Sequence, residues 1–223
     1  MTKLICVGAC YLDTILRHRE SRTAYRKHVN SVPFFPGEDT KLRASSLAVR
    51  RGGNCPNTLE VLQQLIEKQQ RHDVAPYLIS ALPARDSPGA AKVKESFGSR
   101  SIVDLTRCVY HEGYAEPASC YIIRSEATDS RTLVSYNDLP DVTVDDFKAA
   151  AGGLLRSGGK TWWHFEGRLP ETTLECIRYL RQANPEARIS VEVEKPGRQG
   201  LQELAAEADV VFYSKSWAEV CCE

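Results

Sequence analysis

Short apolar runs and helical stripes of apolar residues alternate along much of the chain. Leu4–Gly8 is a continuous apolar run, which is typical of a strand buried on both faces of a parallel sheet. From Leu59 onward, apolar residues recur at helical spacing, and this stripe ends in the polar run 67–71. Residues 76–82 indicate a second strand, and residues 90–97 indicate a second helix. This order predicts an α/β fold.

The alternation resumes after the polar stretch 145–148. The predicted elements are a strand, a helix, a strand, a helix and a strand, over 161–165, 171–181, 188–193, 201–208 and 210–213. Such an order predicts a doubly wound parallel sheet with right-handed crossovers. Near the end, Ser216 and Glu219 have capping-box spacing and predict a further helix. Since only a turn remains before Glu223, we expect the sequence to stop within an element.

The middle of the chain has strand-like segments with no helix between them. These segments are 102–109, 119–123 and 132–136. Consecutive strands of this kind favour antiparallel pairing. The polar region 14–48 has few helix signals and is expected to join them. We therefore predict one incomplete domain over 1–223, with the strands of a small β layer drawn from about 14–48 and 102–136.

Composition excludes several classes of function. The chain has 223 residues, a formal net charge of zero and 26% charged residues, so no global field favours nucleic acid or an anionic membrane. Its apolar runs are too short to span a bilayer, and we expect a soluble cytoplasmic protein with a small-molecule ligand. The eight cysteines form no C-x-x-C pair and are interpreted as buried free thiols. The five histidines lack metal-site spacing.

A polar, glycine-rich sequence precedes the first predicted helix. Gly52 and Gly53 allow close approach of a ligand to the backbone, because glycine lacks Cβ and tolerates positive φ. Asn54 is placed to cap the helix, and Pro56 suits its first turn. Asn54 and Asn57 are three residues apart, so their amides can bind adjacent hydroxyls of a polyol. The alternative is that Asn54 only caps the helix and Asn57 faces solvent.

Asp13 follows the first strand, in the region where ligands collect in open α/β sheets. A carboxylate there can accept hydrogen bonds from two sugar hydroxyls.

Four motifs of the sequence resemble those of the ribokinase-like, or PfkB, carbohydrate kinases. They are V-G-x-x-x-x-D at 7–13, R-G-G-N-x-x-N at 51–57, W-H-F-E-G-R at 163–168 and V-E-V-E-K-P at 191–196. The resemblance extends over Leu4–Lys215 and is strongest to the ketohexokinase branch, of which the chain is interpreted as the N-terminal portion.

The resemblance implies a ribokinase-like, Rossmann-type doubly wound sheet with a small β-sheet lid. In this family, the lid closes over the sugar and often forms a homodimer interface. The implied activity is transfer of the ATP γ-phosphoryl group to a sugar hydroxyl, with ATP and Mg²⁺ as cofactors. By the same resemblance, Asp13, Gly53, Asn54 and Asn57 bind the sugar and Arg131 binds the phosphate. The alternative for Arg131 is a solvated arginine at the start of a strand.

The late G-A-G-D motif, which supplies the base aspartate and the anion hole in this family, does not occur in the sequence. We therefore expect the C-terminal part of the fold to be missing, the nucleotide site to be incomplete and the chain alone to be inactive. No catalytic residue is assigned. The alternative function is that of a non-catalytic sugar-binding or regulatory protein derived from a kinase. A third interpretation is that the chain is a poorly folding fragment.

Three glutamates in the family-like motifs are candidates for contacts near the phosphates. Glu166, Glu192 and Glu194 would contact Mg²⁺ through water molecules, or would hold other groups that lie near the phosphates. No direct metal ligand is predicted. The alternative is that Glu192 and Glu194 are the polar positions of a half-buried strand, with Val191 and Val193 pointing inward.

Overall fold

The computed structural model of the chain describes eleven strands and six helices within residues 1–17, 37–41, 44, 46–71, 73–124, 128 and 130–221. The strands are β1 (Thr2–Val7), β2 (Tyr11–Arg17), β3 (Ser46–Gly52), β4 (Val74–Ile79), β5 (Ala81–Pro83), β6 (Val109–His111), β7 (Ser119–Arg124), β8 (Arg131–Tyr136), β9 (Thr161–Glu166), β10 (Arg188–Val193) and β11 (Val210–Tyr213). The helices are α1 (Asn54–Lys68), α2 (Pro88–Glu95), α3 (Val144–Arg156), α4 (Pro170–Ala183), α5 (Leu201–Ala206) and α6 (Lys215–Cys221).

The central sheet has five parallel strands in the order β11-β10-β9-β1-β4. The chain enters this sheet at β1, adds β4 as the edge strand on one side, and then adds β9, β10 and β11 outward on the other side, as expected of a doubly wound fold. Helix α1 packs on strands β1, β4 and β9, while α3, α4 and α5 pack together beside β9 and β10. The predicted α/β class and parallel sheet are confirmed.

The larger core cluster lies between the sheet and helices α3, α4 and α5. Phe147 of α3 is fully buried there and touches the rings of Trp163 and Phe165 on β9, with ring centroids 5.6 and 5.7 Å away. A smaller cluster on the other side joins β1, α1 and α2. Large apolar side chains from the sheet and from the helices on both of its sides are buried together. This packing fixes the positions of the helices relative to the strand ends.

A separate four-stranded sheet has the order β3-β2-β7-β8. Strands β2 and β3 are antiparallel, as are β7 and β8, but β2 and β7 run parallel, so this layer is mixed and not purely antiparallel. Part of the predicted layer, residues 18–36, lies outside the described residues.

The predicted strand 102–109 is wrong. Only Val109–His111 forms a strand, β6, which pairs in parallel with β5 in a small second sheet. The side chain of Asp104 accepts hydrogen bonds from the backbone and the hydroxyl of Thr106 at 2.7 and 2.6 Å, which turns the chain. Before β6, Asp104 forms an isolated β-bridge with Tyr77 of β4, and the thiol of Cys108 donates a hydrogen bond to the carbonyl of Leu78 on the same strand.

The start of α6 differs from the sequence prediction, and helix α3 was not predicted. Helix α6 begins at Lys215, and the hydroxyl of Ser214, not Ser216, accepts a hydrogen bond from the backbone N–H of Trp217 at 3.1 Å. Helix α3 was not predicted, although Thr143 and Asp146 form a reciprocal capping box at its start.

Within the described residues, the cysteines with described side chains are free and buried, as predicted. They are Cys6, Cys10, Cys55, Cys108, Cys120 and Cys176. Among the described helices, none combines the length and the apolar character needed to cross a bilayer.

Candidate functional site

The candidate site lies where β1, β9 and β10 end beside the start of α1. Because these parallel strands are in register, Val7 is next to Phe165, and Glu166 is next to Glu192. The turn after β1 begins at Gly8, and a side chain there would collide with Glu166 and Cys55. The carboxyl ends of three strands therefore place backbone and carboxylates at one edge of the sheet.

Gly53 brings the turn before α1 against the turn after β1. It precedes the first residue of the helix with φ of 101°, a conformation that favours glycine. A Cβ at this position would overlap the carbonyl oxygen of Ala9. The close approach predicted for the glycine pair is thus made with the chain itself, and sugar binding by Gly53 stays a prediction.

Asn54 does not cap helix α1. Gly53 occupies the cap position without a side-chain hydrogen bond, and Asn54 is the first helical residue. Its amide instead donates a hydrogen bond of 2.8 Å to the Oε1 atom of Glu192 at the end of β10. Asn57 is exposed one turn later, so its amide is open to solvent or to a ligand. The cap prediction failed because the glycine already supplies the turn.

Asp13 lies within β2 and not in a loop after β1. Its carboxylate lies against Gly52, where a Cβ would collide with it, and Arg50 is directly opposite on β3. Burial raises the pKa of Asp13 above its usual range, while the nearby charges of Arg50 and Arg131 act in the opposite direction. Asp13 therefore flanks the R-G-G-N turn, although in the described part of the chain no hydrogen bond joins it to Asn54 or Asn57.

The glutamates of β9 and β10 hold the two turns in place. Glu166 accepts a hydrogen bond of 2.7 Å from the backbone N–H of Ala9, and Glu192 accepts one from Asn54. Burial is the main cause that raises the pKa of both carboxyl groups, and the charge of Glu194 adds to it in each case. The Oε2 atom of Glu192 is buried without a partner among the described residues.

The strand alternation proposed for β10 is also present. Val191 and Val193 are fully buried, whereas Glu192 and Glu194 are half-buried on the other face. The two interpretations of these glutamates are therefore compatible, because the polar face of the strand is the face that reaches α1. Arg131 begins β8 and is exposed.

Arg168 was not assigned a role from the sequence, although it is the last residue of the W-H-F-E-G-R sequence. Its guanidinium donates a hydrogen bond of 3.0 Å to the hydroxyl of Tyr11 and forms an ion pair with Asp141. All three side chains line a cavity of about 80 Å³ beside the turn after β1. The only signal available from the sequence was its position two residues after Glu166 in the same motif. Arg168 thereby ties β9, β2 and the segment before α3 together.

Arg51 was missed as a structural residue of the same turn. Its buried guanidinium forms an ion pair with Glu60 of α1 and stacks over the ring of Phe97, 3.9 Å from the centroid. The side chain thus fixes the end of β3 from the side opposite Asp13. Its position next to two glycines gave no indication of burial.

The comparisons with known proteins agree with this geometry. Mouse ketohexokinase is 30% identical over 226 residues, which cover 97% of this chain and 65% of that protein. Ribokinase from Giardia lamblia has a TM-score of 0.66 at 13% identity, covering 99% of this chain and 60% of the other. The chain has the ribokinase-like fold. No protein-family model matches the sequence.

Two further solved structures support the fold. Fructokinase from Xylella fastidiosa has a TM-score of 0.63 at 16% identity, covering 98% of this chain and 65% of that protein. Ribokinase from Arabidopsis thaliana, solved with ribose and ATP, has a TM-score of 0.63 at 12% identity, with coverages of 97% and 61%. The predicted resemblance to ribokinase-like carbohydrate kinases is confirmed. The chain spans just under two thirds of the length of these proteins.

Proposed function

We propose that this chain is the sugar-binding portion of a ketohexokinase-like carbohydrate kinase. The observation that carries the proposal is the packing of the R-G-G-N turn against the end of β1, with Asp13 on one side and the Asn54–Glu192 hydrogen bond on the other. Carboxylate and amide groups around exposed backbone suit the hydroxyls of a sugar. Similarity to a ketohexokinase over 97% of the chain supports this choice of ligand.

The corresponding complete enzyme would transfer the γ-phosphoryl group of ATP to a sugar hydroxyl. Arg131 would approach the transferred group, where a guanidinium can bind phosphate oxygens. Mg²⁺ would neutralise charge on the nucleotide phosphates and usually keeps several waters. The unpartnered Oε2 atom of Glu192 fits such a water, with Glu166 and Glu194 close by. Within the described ranges, no group of three metal-binding side chains forms a direct site.

The second candidate is a non-catalytic sugar-binding or regulatory protein. One feature of the sequence favours this candidate. The sequence contains every residue that the resemblance assigns to sugar binding, and it contains no G-A-G-D motif. Both candidates share the same sugar site. The cytoplasmic location stays a prediction.

A thermal-shift assay with fructose, with and without ATP and Mg²⁺, tests the sugar site. A sugar present at a hundred times its Kd should raise Tm by about 5–10 °C in a chain of this size. Asp13→Ala and Asn57→Ala should each abolish the shift, whereas Asp86→Ala, at an exposed acidic position, should retain it. An unchanged shift in the first two variants would remove those residues from the site.

The same protein should show no ATP-dependent phosphorylation of the sugar, because its sequence contains no G-A-G-D motif, which the resemblance assigns to the base aspartate and the anion hole. Robust product formation would show that another carboxylate takes that role, and would contradict the proposed inactivity.

We also propose that the four-stranded sheet pairs with a second copy of the chain. The registers place Val49, Thr14, Tyr121 and Val134 in one row across the sheet, and Leu47 lies on the same face. The four apolar members are each more than half exposed. A patch of this kind on a regular sheet suits an isologous dimer interface, as the family resemblance also implies.

Sedimentation velocity should therefore give a dimer, and Val134→Glu should shift it towards monomer because a charge would be buried in the interface. The control Gln202→Glu introduces the same charge at an exposed position on α5. This variant should stay dimeric. A monomeric parent protein at micromolar concentration would contradict the proposal.

A further inference from the structure

The cavity of about 80 Å³ beside the turn after β1 lies between the central sheet, the start of α4 and the connections to the four-stranded sheet. Its volume is several times what one water molecule needs, whereas protein interiors leave few voids larger than a water. Most of its wall is apolar and comes from strand ends, from α3 and α4, and from the segment between β8 and α3, namely Val7, Ile79, Leu139, Phe147, Phe165 and Cys176. Because water molecules beside these side chains would find few polar partners, the space suits an apolar group.

The cavity is separate from the proposed sugar site. The four residues assigned to the sugar are not among the described residues that line it. Val7 and Phe165 point to the side of the sheet that carries α3 and α4, whereas α1 packs on the other side. Glu166 lies between the two sites, and its Oε2 atom already accepts the hydrogen bond from Ala9. The proposed function therefore makes no use of this space.

A polar group of three side chains also lines the cavity. Arg168 donates a hydrogen bond of 3.0 Å to the hydroxyl of Tyr11 and forms an ion pair with Asp141. Within the described residues, the hydrogen of the Tyr11 hydroxyl itself has no acceptor. Burial raises the pKa of Tyr11, so the hydroxyl stays protonated at neutral pH and can donate to an oxygen atom of a ligand.

The charges around the cavity disfavour an anion. Arg168 is the only cationic side chain among the described residues that line it, and it is already paired with Asp141. Glu166 adds a second carboxyl group to the wall. An anionic ligand would thus lie near two carboxyl groups without a free cation, whereas a neutral ligand avoids this cost.

We propose that this cavity binds a small neutral alcohol or carbonyl compound with an aromatic or branched aliphatic body, and that the Tyr11 hydroxyl donates a hydrogen bond to its oxygen atom. Such a ligand would touch three connections of the four-stranded sheet, at 8–11, at Ala118 and at 137–142. Its binding would therefore fix the position of this sheet relative to the central sheet. The proposal does not depend on the sugar site.

NMR titrations of the full chain with benzyl alcohol, toluene and benzoate test the proposal. Benzyl alcohol should shift the backbone amide signals of 8–11 and 137–142, and it should bind roughly ten-fold more tightly than benzoate, which carries a charge. In Tyr11→Phe the affinity for benzyl alcohol should fall about three- to ten-fold, because one hydrogen bond is lost, while the affinity for toluene should not change. Tyr213→Phe, the same change at an exposed tyrosine on β11, should keep both parental affinities.

A second variant fills the cavity. Cys176 lines it from α4 and is buried, so the larger side chain of Cys176→Leu would enter space that already exists. This variant should keep the parental Tm and lose binding of both benzyl alcohol and toluene. Fructose should not displace benzyl alcohol from the parental chain, since the residues assigned to the sugar lie elsewhere.

The inference is overturned by any of five results. If none of the probes binds the folded chain, the cavity is only a packing void. If benzoate binds as tightly as benzyl alcohol, the neutral class is wrong. If Tyr11→Phe weakens the binding of toluene and benzyl alcohol equally, Tyr11 is not the donor. Binding that survives in a folded Cys176→Leu variant would place the ligand elsewhere, and displacement by fructose would make the cavity part of the sugar site.

Discussion

Replacing Gly53 with alanine is expected to destabilise the folded chain by about 3–5 kcal/mol, enough to unfold much of a marginally stable protein. Part of this cost arises from φ of 101°, which a residue with Cβ adopts at a cost of about 1–2 kcal/mol. The rest arises because the new methyl group would overlap the carbonyl oxygen of Ala9. That oxygen belongs to the backbone after β1, which is anchored by the sheet and by Glu166. Urea unfolding measures the loss.

Two other glycines separate the causes of this loss. Gly98 has φ of 93°, and no atom lies within 4 Å of the position that a methyl group would take, so Gly98→Ala should cost only the backbone part, about 1–2 kcal/mol. In Gly52→Ala the new methyl group meets the carboxylate of Asp13, a side chain that can rotate away. This variant should stay folded and lose sugar binding. If Gly53→Ala and Gly98→Ala lower the free energy of unfolding by the same amount, the turn before α1 does not touch the turn after β1 in solution.

The parallel core could be predicted from the sequence because its patterns are local and repeated. A strand buried on both faces is a continuous apolar run, and the helices between strands carry apolar stripes at helical spacing. The turn before α1 could also be predicted from the sequence, because two glycines directly before a helix leave few alternatives to a turn. Helix α3 was harder to see. Gly152 and Gly153 weaken its helical signal, and the structure shows that Gly153 leaves room for the guanidinium of Arg107.

The partners within the site could not be predicted from local patterns. Asn54 meets Glu192 across 138 residues of sequence, and Ala9 meets Glu166 across 157. Such pairs depend on the order of strands in the sheet, which periodicity does not specify. Arg51 was overlooked for a different reason: the region before it was interpreted as polar with few helix signals. Once β3 is recognised as a strand, alternation places Arg51 and Arg50 on opposite faces of the sheet.

Phe147→Ala is expected to destabilise the chain by about 3–5 kcal/mol, because it removes a fully buried ring and leaves a cavity. The ring packs edge-on against Trp163, tilted against Phe165, and edge-on against Tyr179 of α4, with centroids 5.6, 5.7 and 6.4 Å away. Helix α3 would lose its main contact with the sheet. Tm should fall by roughly 6–20 °C, measured by calorimetry.

Phe212→Ala is the matched control, because the same side chain on β11 is 52% exposed and touches only the edge of the His164 ring among the described aromatic contacts. It should change stability by less than about 1 kcal/mol. A large loss at Phe212 would mean that another surface covers this face of the sheet in solution. A small loss at Phe147, together with non-cooperative unfolding, would instead favour a poorly folding fragment, since helices that are not docked on a sheet contribute little to a cooperative transition. A large loss at Phe147 alone would place the stability of the chain in the β9–α3–α4 core. That core fixes the end of β9, where Glu166 holds the turn after β1.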